Sequence, residues 1–546
     1  MVLFFVTAII LFFRITHVDM TGDDAHYSVR AIGPVDFMFA EINAQSTPIQ
    51  WFDKLPRWAS LSFHDHPKPL FLVQHVFLSI RQNVFFAKLP YALFSLGTLV
   101  VMYFLVRKFK PEAAVVSSAL LALNAHFIWA GRVAYLESGV MFFILLAVYY
   151  FIVYESNTKY WWKFGIALGL ALSVKFTTLF LVPSILLLVI VRHRSWFRDI
   201  RFYGAFGIAL VMQLPLIIYN VLMYQTTGHF SLQFVRLFHQ SSPWHLSGVN
   251  SVTVGGLGEL FISLGHLISW PLLVLFIAAL AYTVWWKRRL TFFMSLVLFF
   301  TIQQFFIGRD GYMLSMYAIF IAPILGLAFI DVKNRLEILF NKKAQIIANG
   351  IALVVAIYLG IFVVNSHLMP VHYGVIGWAH SSSVSQNYGA AQLDRYLDDI
   401  VAKDHAITRL DPFGDIKIKD SNTAPFLLRV SQEKLTESVH NSNIIIFDER
   451  ISWFSRVWLF ERRRFYQNIA VFSVSETSIL KQLTINSFYF IKAEEGAPID
   501  SVTKNSSLAS LMEEEVLKRG IKPDYIYRDD GKLAFKVYYV DQRIQK

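Results

Sequence analysis

Asp23 and Asp24 stand side by side after Gly22 and lead directly into His26 and Tyr27, and the same polar stretch closes with His64, Asp65, His66, Pro67, Lys68 and Pro69. Neighbouring carboxylates repel, so one tends to be held by a cation or metal while the other accepts a proton; the bland reading is helix capping or a solvated charged loop. Imidazole and carboxylate together suit zinc or manganese, which makes Asp24, His64 and His66 the candidate metal ligands. The same histidines could instead hydrogen-bond phosphate or backbone. Lys68 lies between two prolines that stiffen the backbone and fix its direction. It reads either as a point charge for a lipid phosphate or as an interfacial lysine whose stem lies along apolar surface. Further on, Arg132 and Glu137 flank a turn and are expected to pair with each other. Lys175 interrupts an apolar hairpin, and Arg309 and Tyr312 open a late apolar stretch. Each of these is either a ligand for an anion or a topological anchor.

The elements that must position these residues are membrane spans. The 546 residues are 55% hydrophobic and 16% charged, with a mean hydropathy of +0.48, a balance too apolar for a soluble chain. Eleven apolar segments are expected: 1–13, 89–106, 113–129, 140–154, 164–174, 177–191, 202–223, 257–286, 291–307, 313–330 and 346–364. Segment 1–13 lacks a positive leading region and a cleavage site, so it reads as a span rather than a signal peptide. With the N-terminus in the cytoplasm, the basic stretches 107–110, 159–163, 192–201, 287–289 and 333–343 all fall inside, as the positive-inside rule demands. The net charge of +12 is thereby an orientation signal and not a nucleic-acid footprint. The 16% aromatic content reads as interfacial belt and lipid-facing packing. The absence of cysteine excludes disulfides, thiolate metal sites and a cysteine nucleophile.

The expected organisation is a transmembrane domain over 1–365, with a first extracytoplasmic loop over 18–88, and an extracytoplasmic α/β domain over 366–546. In the latter, 388–403 and 507–519 read as helices, 443–447 as a strand, and 525–540 as a hairpin turning on Asp529, Asp530 and Gly531.

Several motifs then resemble one family. Gly22-Asp23-Asp24-Ala25-His26-Tyr27 is similar to the D-E-x-x-Y of the first outer loop of the GT-C membrane glycosyltransferases, which include the protein O-mannosyltransferases and the lipid A aminoarabinose transferase. His66-Pro67-Lys68-Pro69-Leu70 resembles their H-P-P-L or K-P-P-L element, and Lys88-Leu89-Pro90-Tyr91-Ala92-Leu93-Phe94 their R-L-P-S-A-L-F. Arg132 to Glu137 looks like their arginine-then-acid turn, Leu172-Ser173-Val174-Lys175 like their L-x-x-K, and 311–323 like their Y-x-x-P-x-x-P. This chain departs from the pattern at Asp24, where the family has Glu, and at Lys68, which replaces a proline.

The resemblance implies a polytopic all-α membrane fold of GT-C type with about eleven spans. It implies a polyprenyl-phosphate-linked sugar as donor in the outer leaflet of a multi-pass plasma-membrane protein, and a protein, lipid or glycan acceptor. Asp23 falls at the family's catalytic aspartate, and Lys68, His66, Lys175, Arg132 and Arg309 supply cations for the donor phosphate. The chemistry requires no cofactor, although a divalent metal has candidate ligands. The rival reading is a transporter or flippase of a lipid-linked or sugar substrate. Against it, the ionisable residues gather at one face and no internal repeat is visible.

Overall fold

The computed structural model is dominated by helices, with one five-stranded sheet near the C-terminus. It describes all residues except 21, 34–50, 53–55, 57, 62–65, 229, 232–233, 235–256, 287–290, 308–310, 370–386, 405, 408–442, 477–484, 501–503, 505 and 542–546. The chain forms two compact units: 1–15, 63–73 and 88–385 make up the first, and 16–62, 74–87 and 386–546 the second.

In the first unit the apolar segments are helices. Among the described residues four are long and apolar enough to cross a membrane: Val84–Phe109, Glu137–Ser156, Gly311–Leu339 and Ile346–His367. Two bent pairs raise this to six, and shorter apolar helices fill out the unit. The protein is a multi-pass membrane protein. One bend has its cause in Asn124, whose side chain accepts from the N–H groups of His126 and Phe127. It caps Ala125–Arg132 and turns it 63° from Pro111–Ala122. The second bend, 41° after Ile200–Val211, precedes Pro215, which lacks an N–H and is tolerated only in a first turn. Close packing follows from small residues. Gly165 and Gly169 are four apart on Trp161–Val174, and a Cβ on Gly165 would stand 2.7 Å from the Ala205 carbonyl oxygen, so the spacing lets Ile200–Val211 approach backbone to backbone.

Three expectations change. Segment 257–286 is two helices, Leu257–Ile268 and Trp270–Trp286, broken at Ser269 with φ 82°. The basic stretch 333–343 is not a turn but part of a continuous helix, Ala318–His367. That stretch contains neither Gly nor Pro, and Lys, Arg, Glu and Leu are good helix formers, so nothing in it stops propagation. Finally, 18–88 is not merely a loop: it holds the helices Asp23–Ile32 and Pro69–Ile80.

The second unit is built on a sheet of order β2-β1-β3-β5-β4, with β1 at Asn443–Phe447, β2 at Val471–Ser473, β3 at Ser487–Ala493, β4 at Asp524–Tyr527 and β5 at Leu533–Asp541. β1 pairs in parallel with β2 and β3, while β5 is antiparallel to β3 and β4. Ile444, Ile446, Phe488, Phe490, Tyr538 and Val540 form one buried face against Ala509 and Val516 of Leu508–Lys518. The expected helices, the strand and the 525–540 hairpin are all present, and Gly520 and Gly531 take left-handed backbone.

Residues just after the first apolar helix belong to this unit. The Asp19 carboxylate accepts from the backbone N–H of Ala391 at 2.7 Å and from that of Tyr388, and Asn387 donates to the His17 carbonyl at 2.6 Å. Deeper in, Arg462 and Arg463 are fully buried against Asp394, at 2.8 and 2.9 Å, with Trp458 Nε1 donating to the same carboxylate at 3.0 Å. Burial pushes the Asp394 carboxyl up, but the two guanidiniums outweigh it and hold it below the usual carboxylate range. Its contribution to stability is therefore present above the ordinary carboxylate pKa and is lost as pH falls through the lower, folded value. Asp394→Ala removes the buried carboxylate that both guanidiniums share and leaves Asp398, which is partly exposed, as their remaining acid; we expect a loss of about 3 kcal/mol, read from denaturant unfolding of the full chain at pH 7.

Candidate active site

The residues singled out from sequence are divided between the two units. In the second, Asp23 and Asp24 occupy the first turn of Asp23–Ile32, where carboxylates are favoured by the helix dipole. The two acids have different surroundings. Asp24 is fully buried, and its Oδ1 accepts from the backbone N–H of Gly22 at 3.0 Å and of Ala25 at 2.9 Å. It is engaged in starting the helix. Asp23 is half-buried, and its Oδ2 accepts from the Tyr27 hydroxyl at 3.4 Å, one turn along. His26 is buried with its ring 5.6 Å from that of Trp453. Arg30, fully buried, sits 5.9 Å from the Tyr27 ring centroid. The helix is anchored in its own unit: His75 contacts the Ala31 carbonyl at 2.7 Å, and Gln74 donates to Ser28 at 2.8 Å.

In the first unit a buried ionic and aromatic network assembles from four breaks between helices. Lys175 is the extended residue that ends Trp161–Val174, and its Nζ donates to Glu137 Oε1 at 2.5 Å, both side chains being essentially inaccessible to solvent. The backbone at this break is satisfied by Gln303, which donates to the Thr177 carbonyl at 2.8 Å and accepts from Phe180 N–H at 3.0 Å. Glu137 opens its own helix, Glu137–Ser156. The Lys175 ammonium lies 4.9 Å from the Tyr312 ring centroid. From Tyr312 the rings continue to Tyr135 at 5.5 Å, to Trp129 at 5.2 Å and to His126, stacked at 4.8 Å. The His126 ring closes the circuit on the Gly311 carbonyl at 2.8 Å.

The expected Arg132–Glu137 pair does not form. Arg132 donates instead to the carbonyls of Ile10, Leu11 and Phe13 at 2.6, 3.2 and 2.7 Å, meeting the orphan acceptors at the end of Val2–Phe12. Glu137 is taken by Lys175, which as half of a neutral pair is no bare cation for an anionic donor.

Lys68 heads the helix Pro69–Ile80, half-buried, with its ammonium 4.8 Å from the Tyr219 ring centroid. Burial lowers its pKa to about 8. His66 beside it is buried. His64, Asp65 and Arg309 lie outside the described residues. Among the described residues no three His, Cys, Asp or Glu side chains converge as metal ligands, and Asp24, one of the proposed ligands, has Oδ1 turned to backbone donors.

Sequence reasoning missed Trp129, His126, Tyr135 and Tyr219. The signal for the first three was Asn124, a capping residue inside an apolar run that cuts one span into two and places a short helix at its end.

The fold is that of the GT-C membrane glycosyltransferases. ArnT from Cupriavidus metallidurans, solved bound to undecaprenyl phosphate, is similar over 98% of this chain and 97% of its own, with TM-score 0.53 and 13% identity. Its apo structure matches over the same shares at 0.51 and 14%. The Archaeoglobus fulgidus oligosaccharyltransferase tethered with an acceptor peptide aligns over 99% of this chain and 74% of that one, with TM-score 0.48 and 12% identity. More narrowly, residues 66–235 match the family described as dolichyl-phosphate-mannose-protein mannosyltransferase. No curated protein sequence matches significantly.

Proposed function

We propose that this protein is an integral-membrane inverting glycosyltransferase that moves a sugar from a polyprenyl-phosphate donor to an acceptor hydroxyl on the outer face of the plasma membrane, with its N-terminus in the cytoplasm. The observation that carries the reading is the asymmetry of the acid pair: Asp24 is fully buried with Oδ1 accepting from two backbone N–H groups, while Asp23 is half-buried beside the Tyr27 hydroxyl. Asp23 accepts the proton of the acceptor hydroxyl as its oxygen attacks the anomeric carbon. The bond to the phosphate oxygen breaks on the opposite side, and polyprenyl phosphate leaves with its own negative charge. No general acid is needed, and what the leaving group requires is a cation.

Lys68 is the residue proposed for that role: it heads the helix Pro69–Ile80 within the motif that resembles the family's phosphate-side element, with its ammonium 4.8 Å from the Tyr219 ring centroid. Its depressed pKa provides the test. Below about pH 8 the free enzyme presents a charged Nζ, and above it a neutral amine. In a reconstituted assay that follows release of polyprenyl phosphate from polyprenyl-phosphate hexoses, kcat/KM for the donor falls as pH rises through about 8. Lys68→Arg, charged throughout, flattens that limb. An unchanged limb in the arginine variant, or no release from any such donor, overturns the proposal.

A further inference from the structure

The two faces of the second unit's sheet are used differently. One is closed by Leu508–Lys518; on the other, beside the C-terminal half of the helix Ala390–Lys403, an open cleft of about 660 Å³ remains. That volume lies within the range of small-molecule sites, roughly 300–1,000 Å³. Its floor is aromatic. Tyr489 of β3 and Tyr539 of β5 are directly opposed in the ladder, with ring centroids 5.0 Å apart, and Tyr539 is 43% exposed. Its walls are preorganised acceptors. Asp404 Oδ2 takes the Tyr489 hydroxyl at 2.9 Å and the Asn443 amide, while its Oδ1 takes the Ala406 N–H at 2.9 Å. Across the cleft Asp524 accepts from the Tyr396 hydroxyl.

The Tyr396 and Tyr489 hydroxyls are pushed well above the ordinary tyrosine range, first by burial and then by the carboxylate each donates to, so they stay neutral donors. Each carboxylate offers more lone pairs than its partners occupy. An apolar floor of two rings inclined at 43° beside fixed acceptors matches a pyranose, which shows a C–H face to a ring and hydroxyl donors at its edge. The charge balance is selective: among the described residues the lining carries Asp399, Asp404 and Asp524 against Lys403, which disfavours phosphorylated or uronic sugars. A basic peptide is the weaker fit, since Lys403 stands 3.7 Å from Asp399 and the two-ring floor suits the face of a pyranose.

We propose that this cleft binds a saccharide, neutral or amino-substituted. The inference rests on the second unit alone and stands or falls separately from the transferase reading.

The test uses the full chain in phospholipid nanodiscs, because sugar-headed detergents would compete for the cleft. Saturation-transfer NMR is recorded with mannobiose and N,N′-diacetylchitobiose as probes, digalacturonic acid as the anionic control and trilysine as the peptide rival. At least one neutral disaccharide is expected to bind, with digalacturonic acid and trilysine silent. Tyr539→Ala and Asp524→Asn, both at exposed positions, each weaken binding about tenfold, the loss of one stacking or charged hydrogen-bond contact, with unchanged elution and melting. Binding that both variants leave intact, preferential binding of trilysine or digalacturonic acid, or no binding of either disaccharide overturns the proposal.

Discussion

Asp23→Asn is expected to lower kcat for sugar transfer by roughly 100- to 10,000-fold, the usual worth of a positioned general base, with little change in KM for the lipid donor. The amide is the same size and keeps an oxygen for the Tyr27 hydroxyl, so the helix Asp23–Ile32 retains its contacts. What is lost is only the capacity to take a proton. Asp24→Asn should behave in the opposite way. Its amide oxygen can still accept from Gly22 and Ala25, but the charge that complements the helix N-terminus is gone. That costs about 0.3–1 kcal/mol of stability and leaves turnover largely intact. The pair is measured in one preparation by initial rates against donor concentration, with thermal melting as the fold control. Equal losses in the two variants would mean that the helix start matters and the base does not; undiminished transfer by Asp23→Asn would remove Asp23 as the base, and no transfer by the unaltered protein would remove the enzyme assignment and restore the transporter reading.

Much of this organisation was legible in the residues, and the places where it was not share a cause. The soluble helices, β1 and the 525–540 hairpin were readable because period, capping and turn residues agree there, down to Gly520 and Gly531 in left-handed backbone. The central strand β3 went unassigned: six of the seven residues of Ser487–Ala493 are buried and Tyr489 is half-buried, which leaves no alternation to read. In the apolar region composition announces spans but not where they break. Asn124 and Ser269 divide helices through one side-chain cap and one left-handed residue, signals too local to stand out in an apolar run. The acid helix was hidden for a related reason. Nine of its ten residues are buried although half of the helix is polar in sequence, because it packs within the second unit. Pairing was the least legible property of all. Arg132 and Glu137 are close in sequence, and nothing in that closeness reveals that one serves three carbonyls of the first helix and the other a lysine 38 residues later.

That last pair carries the second large expectation. Lys175→Met strands the Glu137 carboxylate in a site from which both side chains exclude water, and Glu137→Gln strands the ammonium against a neutral amide. Each single change should cost about 3–5 kcal/mol, whereas the combined Glu137→Gln/Lys175→Met variant, with no charge left to bury, should recover most of the loss. Chemical denaturation in lipid, analysed as a double-mutant cycle, gives the coupling directly. The same double variant separates the two roles open to Lys175. If its work is to join the break before the 3₁₀ turn Phe176–Thr178 to the helix Glu137–Ser156, restored stability brings back a normal donor KM. If the ammonium also meets the donor phosphate, stability returns but KM stays high, because methionine packs beside Tyr312 without offering a charge. The 2.5 Å contact and the neutrality of the pair favour the first outcome.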